Sequence, residues 1–245
     1  MKRIPIALQL WSLRDDCLRD FAGTVAAVAR MGYAGVELAG YGGLDAPRAK
    51  AAIAEAGLRV AGMHHPIQAF EAGLQRIIED ALLLGSPNVT CAWWPDTEFV
   101  SPEACQQIGR RLNEIGAVMR AFGLRFSYHN HGGELKRLAS RTALDWILTA
   151  TEPRNVEAEV DTYWSDFGGV PPGDLIRSLG SRCTLVHLKD AKEIGRGPVD
   201  FEKVLAAVDS VGAAEWLIVE VDNYTGTPLE SVKECIDRLR SWGRV

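Results

Sequence analysis

The sequence predicts an α/β fold, a single-domain (β/α)8 TIM barrel over residues 1–245, on three observations. Eight short runs rich in β-branched and aromatic residues recur along the chain, helical stretches separate them, and the unit repeats at about 30 residues. Strict alternation of this kind implies a parallel sheet, because parallel neighbours need a crossover connection. Eight such units close into a barrel; a doubly wound open sheet is the alternative. No Pro/Ser-rich linker or shift of composition divides the chain.

Strands are expected at residues 6–11, 35–39, 58–64, 89–93, 124–130, 156–161, 184–189 and 217–222. The first follows a basic start, MKR, but Gln9 and Ser12 interrupt its apolar run and no small-residue cleavage site follows, so it reads as a strand rather than a secretory leader. In ARMGYAGVEL, AEAGLRVAGMH, LLLGSPNVTCAW, RAFGLRFSYHN, RSLGSRCTLVHL and DSVGAAEWLIVEV a glycine joins the end of an amphipathic helix to the next strand. Glycine adopts the left-handed C-cap conformation without a Cβ penalty. Helix starts are marked at Ser101 (SPEA), Asp200 (DFEK) and Thr227 (TPLE), each with a capping side chain and a glutamate read as its capping-box partner.

Composition and charge narrow the functional class. With 47% hydrophobic and 24% charged residues the chain is an ordinary globular protein and not a disordered one. Its net charge is −5, and no stripe of lysine and arginine is present to neutralise phosphates, which argues against a nucleic-acid partner. No stretch approaches the roughly 20 apolar residues of a membrane-spanning helix, so no membrane partner is expected. The five cysteines are scattered and never form a CxxC pair, so neither a disulfide framework nor a thiolate zinc site is expected, and the expected compartment is the cytoplasm.

In a TIM barrel the active site lies at the C-terminal ends of the strands. All five histidines, His64, His65, His129, His131 and His187, fall at or just beyond the ends of the third, fifth and seventh strands. Period-two alternation in NVEAEVDTYW turns Val156, Ala158 and Val160 to the helices and Glu157, Glu159 and Asp161 into the barrel. The same division turns Leu185, His187 and Lys189 inward in TLVHLKD, and Glu220 and Asp222 inward in WLIVEVDN. Several carboxylates at one end of a barrel are costly to bury unless paired or bound to a cation. Glu134, Asp161, His187 and Glu220, one from the end of each of the last four strands, are the candidate ligands of one divalent ion, with Mn, Mg, Co and Zn all suited to mixed carboxylate and imidazole donors. Lys189 is the alternative, an ion-pair partner for Glu159 or Glu220.

Other polar residues carry two readings. Gln9 and Glu37 point inward, to bind substrate hydroxyls or to fill the barrel, and His64 joins them as a candidate substrate contact. Trp11, Trp93, Trp94 and Trp164 lie near strand ends, where an indole either stacks on a sugar ring or packs in the core; Trp94 and Trp164 are the chosen candidates. Arg196, in GRGPVD, either holds an anionic substrate group or belongs to a solvated turn.

QLWSLRDD, GVEL, YHNHGGE, EVDTYW, HLKD and VEVDN, in this order and spacing over essentially the whole chain, resemble the sugar phosphate isomerase/epimerase family of xylose-isomerase-like TIM barrels. The resemblance implies a single catalytic metal on Glu134, Asp161, His187 and Glu220. In some relatives the strand-five glutamate lies within the strand, whereas here YHNH takes that place and Glu134 follows His131 by three residues. His131 is then an acid/base, as in members with the same HxxE spacing.

The expected reaction is proton abstraction next to the carbonyl of a sugar or keto-sugar, phosphorylated or not, through a metal-stabilised enediolate. Glu134 and Glu220 are expected to double as bases, and Lys189 to assist electrostatically. Expulsion of a β-substituent from the same enediolate, a lyase or dehydratase reaction on a keto-sugar or keto-inositol, is the alternative, and YHNH favours it through a histidine able to protonate a departing oxygen. A DNA-repair barrel would need a three-metal cluster and a basic groove, which the charge does not supply. A non-catalytic sugar-binding barrel is the remaining reading, and a homo-oligomer is an expectation by analogy with similar barrels.

Overall fold

In the computed structural model, which describes residues 3–245, the eight expected runs form eight strands; the first two residues of the 1–245 span, at the basic start, lie outside the described residues. The strands are β1 (Ile6–Gln9), β2 (Gly35–Leu38), β3 (Arg59–Pro66), β4 (Asn88–Trp93), β5 (Arg125–His129), β6 (Glu157–Asp161), β7 (Cys183–Lys189) and β8 (Trp216–Glu220). Each pairs parallel with the next in sequence and β1 closes against β8, so the sheet is a closed barrel and the open-sheet alternative falls away.

Alternation along the strands builds two cores. Outward residues such as Val36, Leu38, Val89, Phe126, Val186 and Val219 pack against the helices in the larger one. Inside, Ala7, Ala61, Leu185, Trp216 and Ile218 form a small apolar plug at the N-terminal end of the barrel. The Arg59 guanidinium lies 4.4 Å from the centre of the Trp216 ring and covers the plug. Two residues further along these strands the interior turns polar, with Gln9, His187 and Glu220. Register breaks fall beside Glu37, His65 and Glu159, where an irregular step re-aims side chains at the edge of this polar layer.

Helix ends follow the sequence signals with one correction. Gly32 and Gly212 cap their helices at φ 101° and 69°, a region open to glycine. Ser101, Asp200 and Thr227 all cap the helices that follow them. Only Thr227 forms the reciprocal box, with Glu230, because Glu103 and Glu202 stand one position too early in their helices to reach back. A second box, Thr142 with Asp145, starts the helix Ala143–Thr149, and a two-stranded hairpin (Arg137–Leu138, Arg141–Thr142) leads into it; runs of two residues are too short to leave a pattern in sequence. Among the described residues no helix is long and apolar enough to cross a membrane.

Candidate functional site

The polar layer gathers four buried carboxylates, Glu37, Glu159, Asp161 and Glu220, around His64, His129, His187 and Lys189. His187 is the hinge of the arrangement. Its Nε2 lies 2.7 Å from Glu37 Oε2 and 3.2 Å from Glu159 Oε1, while its Nδ1 faces Glu220 Oε2 at 2.9 Å and Asp161 Oδ2 at 3.9 Å. Burial opposes charge on this ring, but Glu159 and Glu37 outweigh it and hold its pKa well above the usual histidine range. His64 behaves likewise: burial is overcome by Glu37 and Glu159, which raise it to about 10. For His129 burial prevails over Glu159, and with the neighbouring histidines it holds the ring's pKa well below the usual histidine range.

Asp161 is positioned by the start of the next helix. Its Oδ1 accepts from the Trp164 amide at 2.8 Å as the N-cap of Thr162–Phe167, and its own amide donates to Asn130 Oδ1 at 3.1 Å. Its other oxygen, Oδ2, is buried without a hydrogen-bond partner, and burial raises the carboxyl's pKa. Glu220 stays ionised against its burial because Lys189 and His187 hold it there; Lys189 Nζ lies 2.9 Å from Glu220 and 2.8 Å from Asp222. One donor atom each from Asp161, His187 and Glu220 lies within 4.8 Å of the others, and His64, His129, Glu159 and His187 form a second such group. The orphaned Asp161 oxygen and this donor set fit a hard or borderline divalent cation.

Glu134, grouped with these three in the sequence reading, is placed apart from them. It lies in the tight turn Gly133–Leu135, where Oε1 accepts from the Tyr128 hydroxyl at 2.8 Å and Oε2 from the His131 amide at 2.9 Å. Tyr128 faces the helices, so the carboxylate follows it away from the barrel axis, and His129 fills the inward position at this level. Burial raises Glu134 to about 7 in spite of those bonds. His131 reaches the mouth, and burial and Lys189 lower it to about 4, so its ring is a neutral base.

A cavity of about 860 Å³ opens above the layer, lined by Gln9, His64, His131, Trp164, Lys189 and Glu220 among others. Glu37 does not reach it: the carboxylate is fully buried and accepts from Gln9 Nε2 at 2.7 Å as well as from His187. Trp94 does not reach it either, being 1% exposed, bonded through Nε1 to Glu98 and covered by Arg111, whereas Trp93 and Trp11 border the cavity. Arg196 is held by Glu234 in a surface turn. Alternation from Ser127 places His129 inward, a signal the sequence carries, whereas no local pattern marks Tyr41, Arg76 and Asp80.

The chain is 26% identical over 198 residues to inosose dehydratase from Salmonella agona (strain SL483), a match covering 68% of this chain and 60% of that protein. The curated relatives it matches are thus covered over about half of their own length. A sugar phosphate isomerase/epimerase from Parabacteroides distasonis ATCC 8503 superposes with a TM-score of 0.89 at 20% identity, over 100% of this chain and 96% of that one. D-allulose 3-epimerase from Methylomonas sp., in complex with D-allulose, does so with a TM-score of 0.75 at 15% identity over 98% of each chain. At these identities the structures establish the fold. The family model for xylose isomerase-like TIM barrels matches residues 25–242, and with the closed barrel and its polar mouth this shows that the chain belongs to that family.

Proposed function

We propose that the chain is a divalent-metal-dependent isomerase or epimerase of a sugar or sugar phosphate, acting by removal of the hydrogen beside a carbonyl. The convergence of Asp161, His187 and Glu220 around a buried, unpartnered Asp161 oxygen carries this reading. A divalent ion held by these three residues would supply Lewis-acid polarisation of the substrate carbonyl. Glu37, accepting from His187 Nε2, would hold the ring in the tautomer able to present Nδ1 to a cation, which on binding would take the place of the Nδ1 proton now facing Glu220. Lys189 balances the charge of Glu220 and Asp222. His131, neutral above about pH 4 and bordering the cavity, is the base that takes the substrate proton and returns it. Glu134 positions His131 through its backbone amide and is itself held by Tyr128, outside the three-residue cluster. Dehydration of a keto-sugar or keto-inositol is the second reading, supported by the similarity to inosose dehydratase.

Elemental analysis of the wild type, Asp161→Ala and Glu220→Ala, with incubation of the wild type with manganese and a ketose panel in deuterated water, tests the proposal. We expect about one equivalent of metal, lost in both variants, and deuterium exchange at carbon without loss of water. A dehydrated product transfers the assignment to the second reading. A metal-free wild type inert toward every ketose sinks both and leaves a sugar-binding barrel.

A further inference from the structure

The cavity runs well past the histidines and carboxylates. Its far side is one face of the helix Ile67–Leu84, where Ala69, Gly73, Arg76 and Asp80 recur at spacings of three and four. The helix is interrupted at Gly73, whose backbone is non-helical (φ −168°, ψ 55°). Small residues, Ala69, Ala72 and Gly73, open space next to the mouth, and charged ones close the distal end. There Asp80 pairs with Arg76 at 3.0 Å and accepts from the Tyr41 hydroxyl at 3.2 Å, all three bordering the cavity. His65 lines the same lobe with a buried Nε2 that has no hydrogen-bond partner. Trp11 and Trp93, 48% and 44% exposed, flank the opening.

We infer that this lobe binds a second sugar ring joined to the reacting one, so that a glycoside of disaccharide size is preferred over the free monosaccharide. The volume of about 860 Å³ is near the top of the range of about 300–1,000 Å³ for small-molecule sites and exceeds the needs of one ring. The lining is mostly apolar with a polar end, which matches a pyranose: C–H faces lie on the indoles and the alanine floor, and peripheral hydroxyls meet Asp80, Arg76, Tyr41 and His65. This rests on the proposed reaction only in placing the reacting ring at the His187 cluster.

Calorimetric titration of the intact protein with maltose, sucrose and trehalose, each against glucose, tests it without requiring turnover. At least one disaccharide should bind roughly tenfold tighter than glucose or better. Ala72→Phe, which fills the lobe from an exposed helix position, and Asp80→Ala, which removes its polar end, should each bring that ratio toward one. Disaccharides that bind no tighter than glucose, or a preference that survives both substitutions, overturn the inference. A preference intact in a protein that exchanges no substrate hydrogen would sink the proposed reaction and leave the lobe standing; exchange on free ketoses without any preference would do the reverse.

Discussion

A Cβ on Gly62 would stand 2.6 Å from Glu37 Oε1, so the absence of a side chain on β3 is what lets the Glu37 carboxylate reach His187. Gly62→Ala should displace Glu37 and, with the tautomer of His187 no longer fixed, weaken divalent-metal binding by about 10- to 100-fold, the usual effect of disturbing a ligand's hydrogen-bond partner. Competition with a chelating dye measures it, and an unchanged affinity in a folded variant would show that Glu37 does not orient the ring. The inward convergence of Asp161, His187 and Glu220 was legible in the sequence because strands impose a period of two and all three sit on strands. Glu134 was not, because it lies past the strand end in a tight turn, where alternation no longer says which way a side chain points. Trp93 and Trp94 were confused for the same reason, at the end of β4.

Two loops at the mouth are tied together by one buried carboxylate. Glu193, after β7, accepts from the Thr225 amide at 2.8 Å, the Thr225 hydroxyl at 2.7 Å and the Ser231 hydroxyl at 2.6 Å, joining its loop to the one that follows β8. Burial opposes its charge, but these donors prevail and hold its pKa at about 2. A carboxyl depressed on folding contributes stability above its unfolded value of about 4.3, and that contribution is lost as pH falls toward 2. Glu193→Ala should therefore cost about 2 kcal/mol at neutral pH, by losing the two bonds from Thr225 and stranding the buried Ser231 hydroxyl, and should flatten the decline of stability between about pH 4.5 and 2. Urea unfolding of both proteins across that window decides it; parallel pH curves would refute the role given to Glu193. Strands and helix-ending glycines could be read from sequence at this scale, since they follow from local pattern. A side chain that bridges two loops 32 residues apart leaves no such trace.

The barrel as a whole divides into a dry end and a wet end. Trp216, 6% exposed, is the largest member of the interior plug, and Trp216→Ala should destabilise the protein by about 3–5 kcal/mol through lost burial and the cavity left behind. Thermal and urea denaturation measure this, and a loss below about 1 kcal/mol would mean that the plug is not needed to hold the strands. Closure of the sheet was legible because eight crossover units leave the chain few other ways to cover every strand. The depth and sidedness of the mouth were not, because they depend on how far one helix stands off from the strand ends. With Trp216 and Arg59 stoppering the floor, the polar layer faces the cavity that Trp11 and Trp93 border, so bulk lodged against those two indoles would crowd the approach to Lys189 and Glu220.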